Sequence, residues 1–431
     1  MLDELAGSAL QSLLALEVRL TLAMSRFDSD AALRLSLDAI VAARAIGQAD
    51  LELRFAITAS GALCDARRAD EAVALLEPYA GPAGAHTDLE LQWSYQEASA
   101  LALDYAGRLA DALQVWPCAL AMAQRAGQRN MLWQTMANAA STRAKMGLVA
   151  EAAQAADQAH RLAQEGGQVQ SMRVLQTQVT LAHRLRDLGH YARALALLEQ
   201  AQAGFEAGNG TASDKMLTEQ RLFVLYQHLG QIARLGALVA RDSAHVPPGL
   251  VMIRLAQRAE YEALMGRDGI TPMREALSII SNSDDIYYRI TTLFASRLVP
   301  ADEGESLAAS LALWASTRER HGVALAGHVR AAACALAQGA GARALPHVDA
   351  SLQLAKRYIP DSFYLPELWL VAAQVFRALG RELDVQRAAA DGHAWVRRVH
   401  DAHVPEPFRD SFLNRNPVNR ELLALAARLA Q

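Results

Sequence analysis

His400, Asp401 and His403 come nearest, by residue type and spacing, to a reactive cluster. Two imidazoles three positions apart share one face of a helix, and with a carboxylate beside them they supply the donors that hold zinc. The stretch runs straight into Pro405, where a helix must be ending, and histidines there serve equally as caps or solvated side chains. The expectation is no metal and no cofactor. Cys64, Cys118 and Cys334 lie far apart within helical patterns, without the close pairs of a zinc site or a local catalytic signature. Neither a Gly-x-x-x-x-Gly-Lys-Ser/Thr phosphate loop nor a Gly-x-Ser-x-Gly elbow occurs. Binding is favoured over catalysis, and a metal-dependent enzyme built on the two histidines ranks below both a sensor and a constitutive scaffold.

Charge narrows the partners. The 431 residues carry 42 Lys and Arg against 46 Asp and Glu, a formal charge of -4, and the basic residues alternate with acids. Phosphate backbones need clustered positive charge, so no direct nucleic-acid partner is expected. Only Lys145, Lys215 and Lys356 are lysines, which reads as a coding bias. The first residues, Met1-Leu2-Asp3-Glu4-Leu5, are acidic where a secretory leader is basic, and charge interrupts every apolar segment before it could span a bilayer. With three scattered cysteines, the expectation is a soluble cytoplasmic protein with no membrane partner.

Binding needs a surface, and candidates for it fall at short distances before a series of glycines. Glu97 and Asp104 precede Gly107, Asn138 and Lys145 precede Gly147, His183 and Arg186 precede Gly189, Arg221 and Gln227 precede Gly230, and Gln257 and Glu260 precede Gly266. Gln374 and Arg377 precede Gly380 in the same way. Both charges and several amides are present, which suits a protein, a peptide or a small polar effector better than a lipid or a polyanion. Trp93, Trp116 and Trp133 sit at helical spacing and are expected to pack between repeats rather than form a recognition cage.

Those glycines mark the elements that must carry the candidates. Gly107, Gly147, Gly189 and Gly230 follow one another at steps of 40, 42 and 41 residues. After each turn a helix opens with small residues around a large one, as in Ala112, Trp116 and Ala119 or Ala194, Leu198 and Ala201, so that two backbones can approach closely. Ala152, Ala156 and Ala159 repeat the face. Hydrophobic residues make up 52% and aromatics 6%, a composition for closely packed helices and not for sheets. Asp30 is the expected cap of the second helix, Thr271-Pro272 the start of the one over 273–280, Gly81-Pro82-Ala83-Gly84 a flexible connection, and Ser281 to Asp284 a break. Pro117 and Pro346 lie inside helices and predict bends, each removing a backbone hydrogen bond at roughly 3 kcal/mol if the helix stays straight.

A near-constant step with a small-large-small second helix resembles the tetratricopeptide repeat (TPR), whose usual period is about 34 residues. The match is carried by Gly147 and Gly189 with the faces that follow them. The longer step is similar to that of the C-terminal sensor regions of bacterial STAND-type ATPase regulators, including large LuxR-like transcriptional activators. The segment Phe408-Arg409-Asp410-Ser411-Phe412-Leu413 with Asn416-Pro417-Val418-Asn419-Arg420 resembles the endings of those same regions. That resemblance implies a stand-alone relative or an excised region of a larger regulator, in which occupancy of a concave groove changes the curvature of the array. The expected architecture is all-α: a right-handed α-solenoid of about ten TPR-like helical hairpins over residues 1–402, closed by a C-terminal cap with a capping helix over 403–431. Phe408, Phe412 and Leu413 are expected to plug its end.

Overall fold

The computed structural model describes residues 2–25, 28–85, 87–165, 171–240, 250–280 and 286–429. Every regular element among them is helical, and the longer helices follow one another as ten successive pairs. The chain divides into two compact units, Met1–Thr142 and Arg143–Gln431, and the division falls inside the helix Arg129–Met146.

The first unit holds the pairs Leu2–Ser25 with Ser29–Ala45, Ala49–Asp65 with Ala69–Leu76, and Leu89–Tyr105 with Leu109–Ala126, then most of Arg129–Met146. Its core is alanine-rich, with Leu13, Ile40, Phe55, Leu76 and Leu91 as the larger buried side chains. The second unit continues with Val149–Gln164 and six pairs: Met172–Asp187 with Tyr191–Gly204, Ala212–His228 with Ile232–Val239, Val251–Leu264 with Ile270–Ile280, Ile286–Leu298 with Ala301–Ser316, His321–Ala337 with Gly341–Ala355, and Pro366–Ala378 with Glu382–His403. Arg409–Asn414 and Pro417–Leu429 complete it.

The small-large-small faces explain the packing. Ala112, Trp116 and Ala119, Ala152, Ala156 and Ala159, and Ala194, Leu198 and Ala201 are all buried, and Ala344, Val348 and Ser351 repeat the register. Pro117 and Pro346 are both accommodated inside helices that run on past them.

Local signals moved by two or three residues. The cap of the second helix is Asp28, not Asp30, its carboxylate accepting from the Ala31 amide at 2.9 Å. Asp268 takes the place expected of Thr271, accepting from the amides of Ile270 and Thr271, so Pro272 is the third helical residue instead of the first. A carboxylate at either position meets exposed amide donors at the positive end of the helix. The Gly81 to Gly84 stretch is helical, within Ala80–Ala85, and buries Ala83. The break expected over Ser281 to Asp284 lies outside the described residues.

Within the second unit the chain folds back on its own earlier turns. The amide of Ile359 donates to the carbonyl of Gly147 at 2.9 Å. A Cβ on Gly189 would lie 2.9 Å from Val399, and one on Gly230 would lie 2.5 Å from the carbonyl of Ser411. Ser411 donates to the carbonyl of Leu229 at 2.7 Å, and Asn416 to that of His228 at 2.8 Å. The C-terminal segment therefore does more than cover the last pair. Phe412 is buried and Leu413 half-buried, while Leu422 and Leu425 bury against Pro366–Ala378 and Glu382–His403.

Candidate functional site

Of the twelve residues expected to face an open groove, six are buried, namely Glu97, Asp104, His183, Arg186, Gln257 and Glu260, while Gln374 is half-buried and Arg377 exposed. Asn138, Lys145, Arg221 and Gln227 are half-buried. Counting back from a turn finds one face of a helix, but not what the neighbouring helix or a distant segment lays over it.

In the first unit, Glu97 accepts hydrogen bonds from Gln134 at 3.1 and 3.0 Å and from Asn138 at 2.8 Å. Lost hydration pushes its pKa up to about 7 against the pull of those amide donors. Asp104 accepts from Thr142 at 2.5 Å, and Thr142 in turn accepts from the indole of Trp116 at 2.9 Å. Trp93 donates to Thr135 at 2.8 Å. Both indoles bridge successive pairs, the packing role expected of them.

In the second unit, His183 and Arg186 lie beneath the segment that carries Asp361 and Ser362. His183 Nε2 is 2.9 Å from Asp361 Oδ1, and Arg186 donates twice to Asp187 Oδ1, at 2.9 and 2.6 Å, and to Ser362 at 3.2 Å. Burial, reinforced by Arg221, Arg184 and Arg186, holds the imidazole well below its usual pKa. The neutral ring then donates its Nε2 proton to the Asp361 carboxylate. Burial likewise raises Asp187, to about 6. His183, Asp187 and Asp361 place one donor each within 4.8 Å of one another, a group that could hold a metal ion by distance alone. The surrounding guanidinium groups oppose a cation there, and the arrangement fits an internal ion-pair lock. His400 and His403 do not converge on one point: His400 bonds Asp401 at 2.6 Å, while His403 stacks on His190 with ring centroids 4.0 Å apart.

Gln227 and Glu260 lead to a different place. Gln227 donates to Glu260 at 2.9 Å, and Glu260 pairs with Arg297. Gln227 and Arg297 both line a cavity of about 70 Å³, together with Arg330, Glu367 and Arg415. Leu235, Leu264, Leu293, Phe294 and Phe363 supply apolar wall. Arg330 pairs with Glu367 and lies over the Phe363 ring at 5.2 Å from its centroid. Thus the first helices of five consecutive pairs, from Ala212–His228 to Pro366–Ala378, reach one cavity. The lining charges Arg297, Arg330, Glu367 and Arg415 escaped the sequence reading. Arg297 is followed by Val299-Pro300 and no turn glycine, Glu367 opens its helix instead of closing it, and Arg415 belongs to the tail. Arg330 precedes Gly339 by nine residues, the interval at which Asn138, Arg221 and Gln257 precede their own glycines, and so was open to the same counting. A wider, shallower recess of about 440 Å³, walled by Trp369 and Trp395, carries Asp391 and Arg398 on an exposed rim.

No protein-family model matches the chain, and no curated protein matches it in sequence. Solved structures do match. The apo form of RapI aligns with a TM-score of 0.53 at 11% identity, over 82% of this chain and 98% of that one. A Rap protein complexed with Competence and Sporulation Factor gives 0.44 at 11% identity over 88% and 99% of the two chains. The apo form of the quorum sensor NprR from B. thuringiensis gives 0.40 at 12% identity over the whole of both. At such identities the likeness speaks for the fold. The chain has the all-α, TPR-like repeat-solenoid fold.

Proposed function

We propose that the chain is a recognition module that binds a peptide, a protein segment or a small polar effector. Its place is a sensor or regulatory part of a bacterial signalling or transcription regulator. The observation that carries binding is the convergence of five first helices on one cavity, which brings Gln227, Arg297, Arg330 and Glu367 to a common apolar-walled space. Fixed charges beside apolar wall orient a ligand and also desolvate it. Arg221 stands close enough to His183 to lower its pKa, Gln257 is buried, and Glu97 is covered by Gln134 and Asn138, so these candidates stand outside the cavity lining. His183 and Arg186 hold the second unit together instead of binding. The regulatory context rests on the resemblance of the tail, Phe408 to Arg420, to the endings of sensor regions.

The test uses pooled synthetic heptapeptides with free C-termini, selected on the whole chain and measured by calorimetry. The comparison protein is the double variant Arg330→Gln, Glu367→Gln, which removes both partners of an ion pair and leaves no lone buried charge. Selected peptides should bind the variant about tenfold more weakly, with its helical circular dichroism unchanged. Equal affinity for both proteins, or no binder at all, contradicts the assignment.

A further inference from the structure

The cavity beneath Arg297 and Arg415 has a composition that selects among ligands. Its inner part is buried and apolar, formed by Leu235, Leu293 and Phe363, and Arg330 stands in that part with 8% of its surface exposed. The Nε of Arg330 has no partner, although the same guanidinium pairs with Glu367 through Nη1. A buried N–H left without an acceptor costs free energy that an incoming oxygen restores. Arg297 and Arg415 are exposed and stand at the mouth. Arg297 keeps about a third of its side chain open to solvent, 35%, yet is hemmed in closely enough that lost hydration and the like charge of Arg330 push its pKa down to about 10.

Charge and size then fix the class. Three arginines face two carboxylates, Glu367 in the lining and Glu260 behind Arg297, which leaves one unit of positive charge to be met. A monoanion balances that; a phosphate dianion overshoots it and loses hydration against the leucines. Planar guanidinium donors match a carboxylate, and a volume near 70 Å³ gives room for roughly five to seven water-sized groups.

We propose that this cavity binds a short apolar monocarboxylate, its carboxylate held by Arg330 and the arginines at the mouth and its hydrocarbon body against Leu235, Leu293 and Phe363. This deepens the recognition role proposed above and rests on it. The carboxylate comes either from a free short-chain acid or from the apolar last residue of a polypeptide.

Ligand-observed NMR on the whole chain tests it with isovalerate, its neutral isostere isovaleramide, inorganic phosphate, and acetyl-Gly-Gly-Leu as free acid and as amide. Isovalerate should bind at least about tenfold more tightly than isovaleramide, and phosphate should not displace it. Arg415→Gln, at the exposed mouth, should weaken the acid about tenfold without changing the thermal midpoint, and the Arg330→Gln, Glu367→Gln pair should do the same. Equal binding of acid and amide, displacement by phosphate, or full affinity in Arg415→Gln overturns the proposal. A tripeptide acid that binds more tightly than isovalerate assigns a polypeptide end as the source, and the reverse order assigns the free acid. If selected heptapeptides bind equally well after C-terminal amidation and isovalerate does not compete, the carboxylate inference fails while the recognition role stands. If no peptide and no acid binds, both fall.

Discussion

Glu97 shows how far a residue's chemistry can be read before its surroundings are known. The sequence places an acid ten residues ahead of the turn glycine Gly107, on a face taken as open, whereas the folded chain leaves it 6% exposed under Gln134 and Asn138. Removing water disfavours the carboxylate, so its pKa rises from an ordinary 4.5 to about 7. Between about pH 4.5 and 7 the folded form then holds more protons than the unfolded one. Stability contributed at this position is full below that window and declines as pH rises through it, by at most about 3 kcal/mol. Urea denaturation at pH 5 and pH 8 checks this: the wild type should lose more stability between the two than Glu97→Gln does. Parallel losses would place water at Glu97. The same reasoning accounts for His183 and Arg186. Their residue types were legible as polar and charged, but their partners Asp361 and Ser362 come from some 180 positions later, beyond any local pattern.

At the scale of the element, the turn glycines were the clearest sequence signal and were only half understood. Positive φ accounts for all of them; close approach accounts for some. Gly380 has φ 70° and nothing within 4 Å of where a Cβ would sit, whereas Gly230, at φ 67°, would bring a Cβ to 2.5 Å from the Ser411 carbonyl. Gly380→Ala should therefore cost about 1 kcal/mol of backbone strain. Gly230→Ala should cost about 3 kcal/mol, because the tail backbone must also move. Chemical denaturation of the two variants separates the effects, and equal losses would mean that the tail does not press on the turn. Helix periods and small-large-small faces were legible because each depends on residues within two turns. Cap positions at Asp28 and Asp268 were missed narrowly, since several acids or hydroxyls near a helix start satisfy the same rule and only geometry decides which side chain reaches the amides.

At the scale of the whole molecule, the repeat number and the all-helical class followed from a step of about 41 residues. The division at Thr142 did not, for it falls inside a helix with no glycine, proline or change of composition to announce it. Nor did the return of the Ser411 and Asn416 segment to the turn before Gly230, 182 and 188 positions earlier, which repetition alone cannot encode. Among the described residues no helix is long and apolar enough to cross a membrane. The central claim is that recognition takes place at the cavity of the second unit. Hydrogen–deuterium exchange with a selected heptapeptide bound tests it most directly. Slower exchange should appear in Ile286–Leu298, His321–Ala337 and Pro366–Ala378, whose side chains line the cavity. Protection confined to Leu89–Tyr105 and the part of Arg129–Met146 around Gln134 and Asn138 would contradict it and move the binding site to Glu97 and its amide partners.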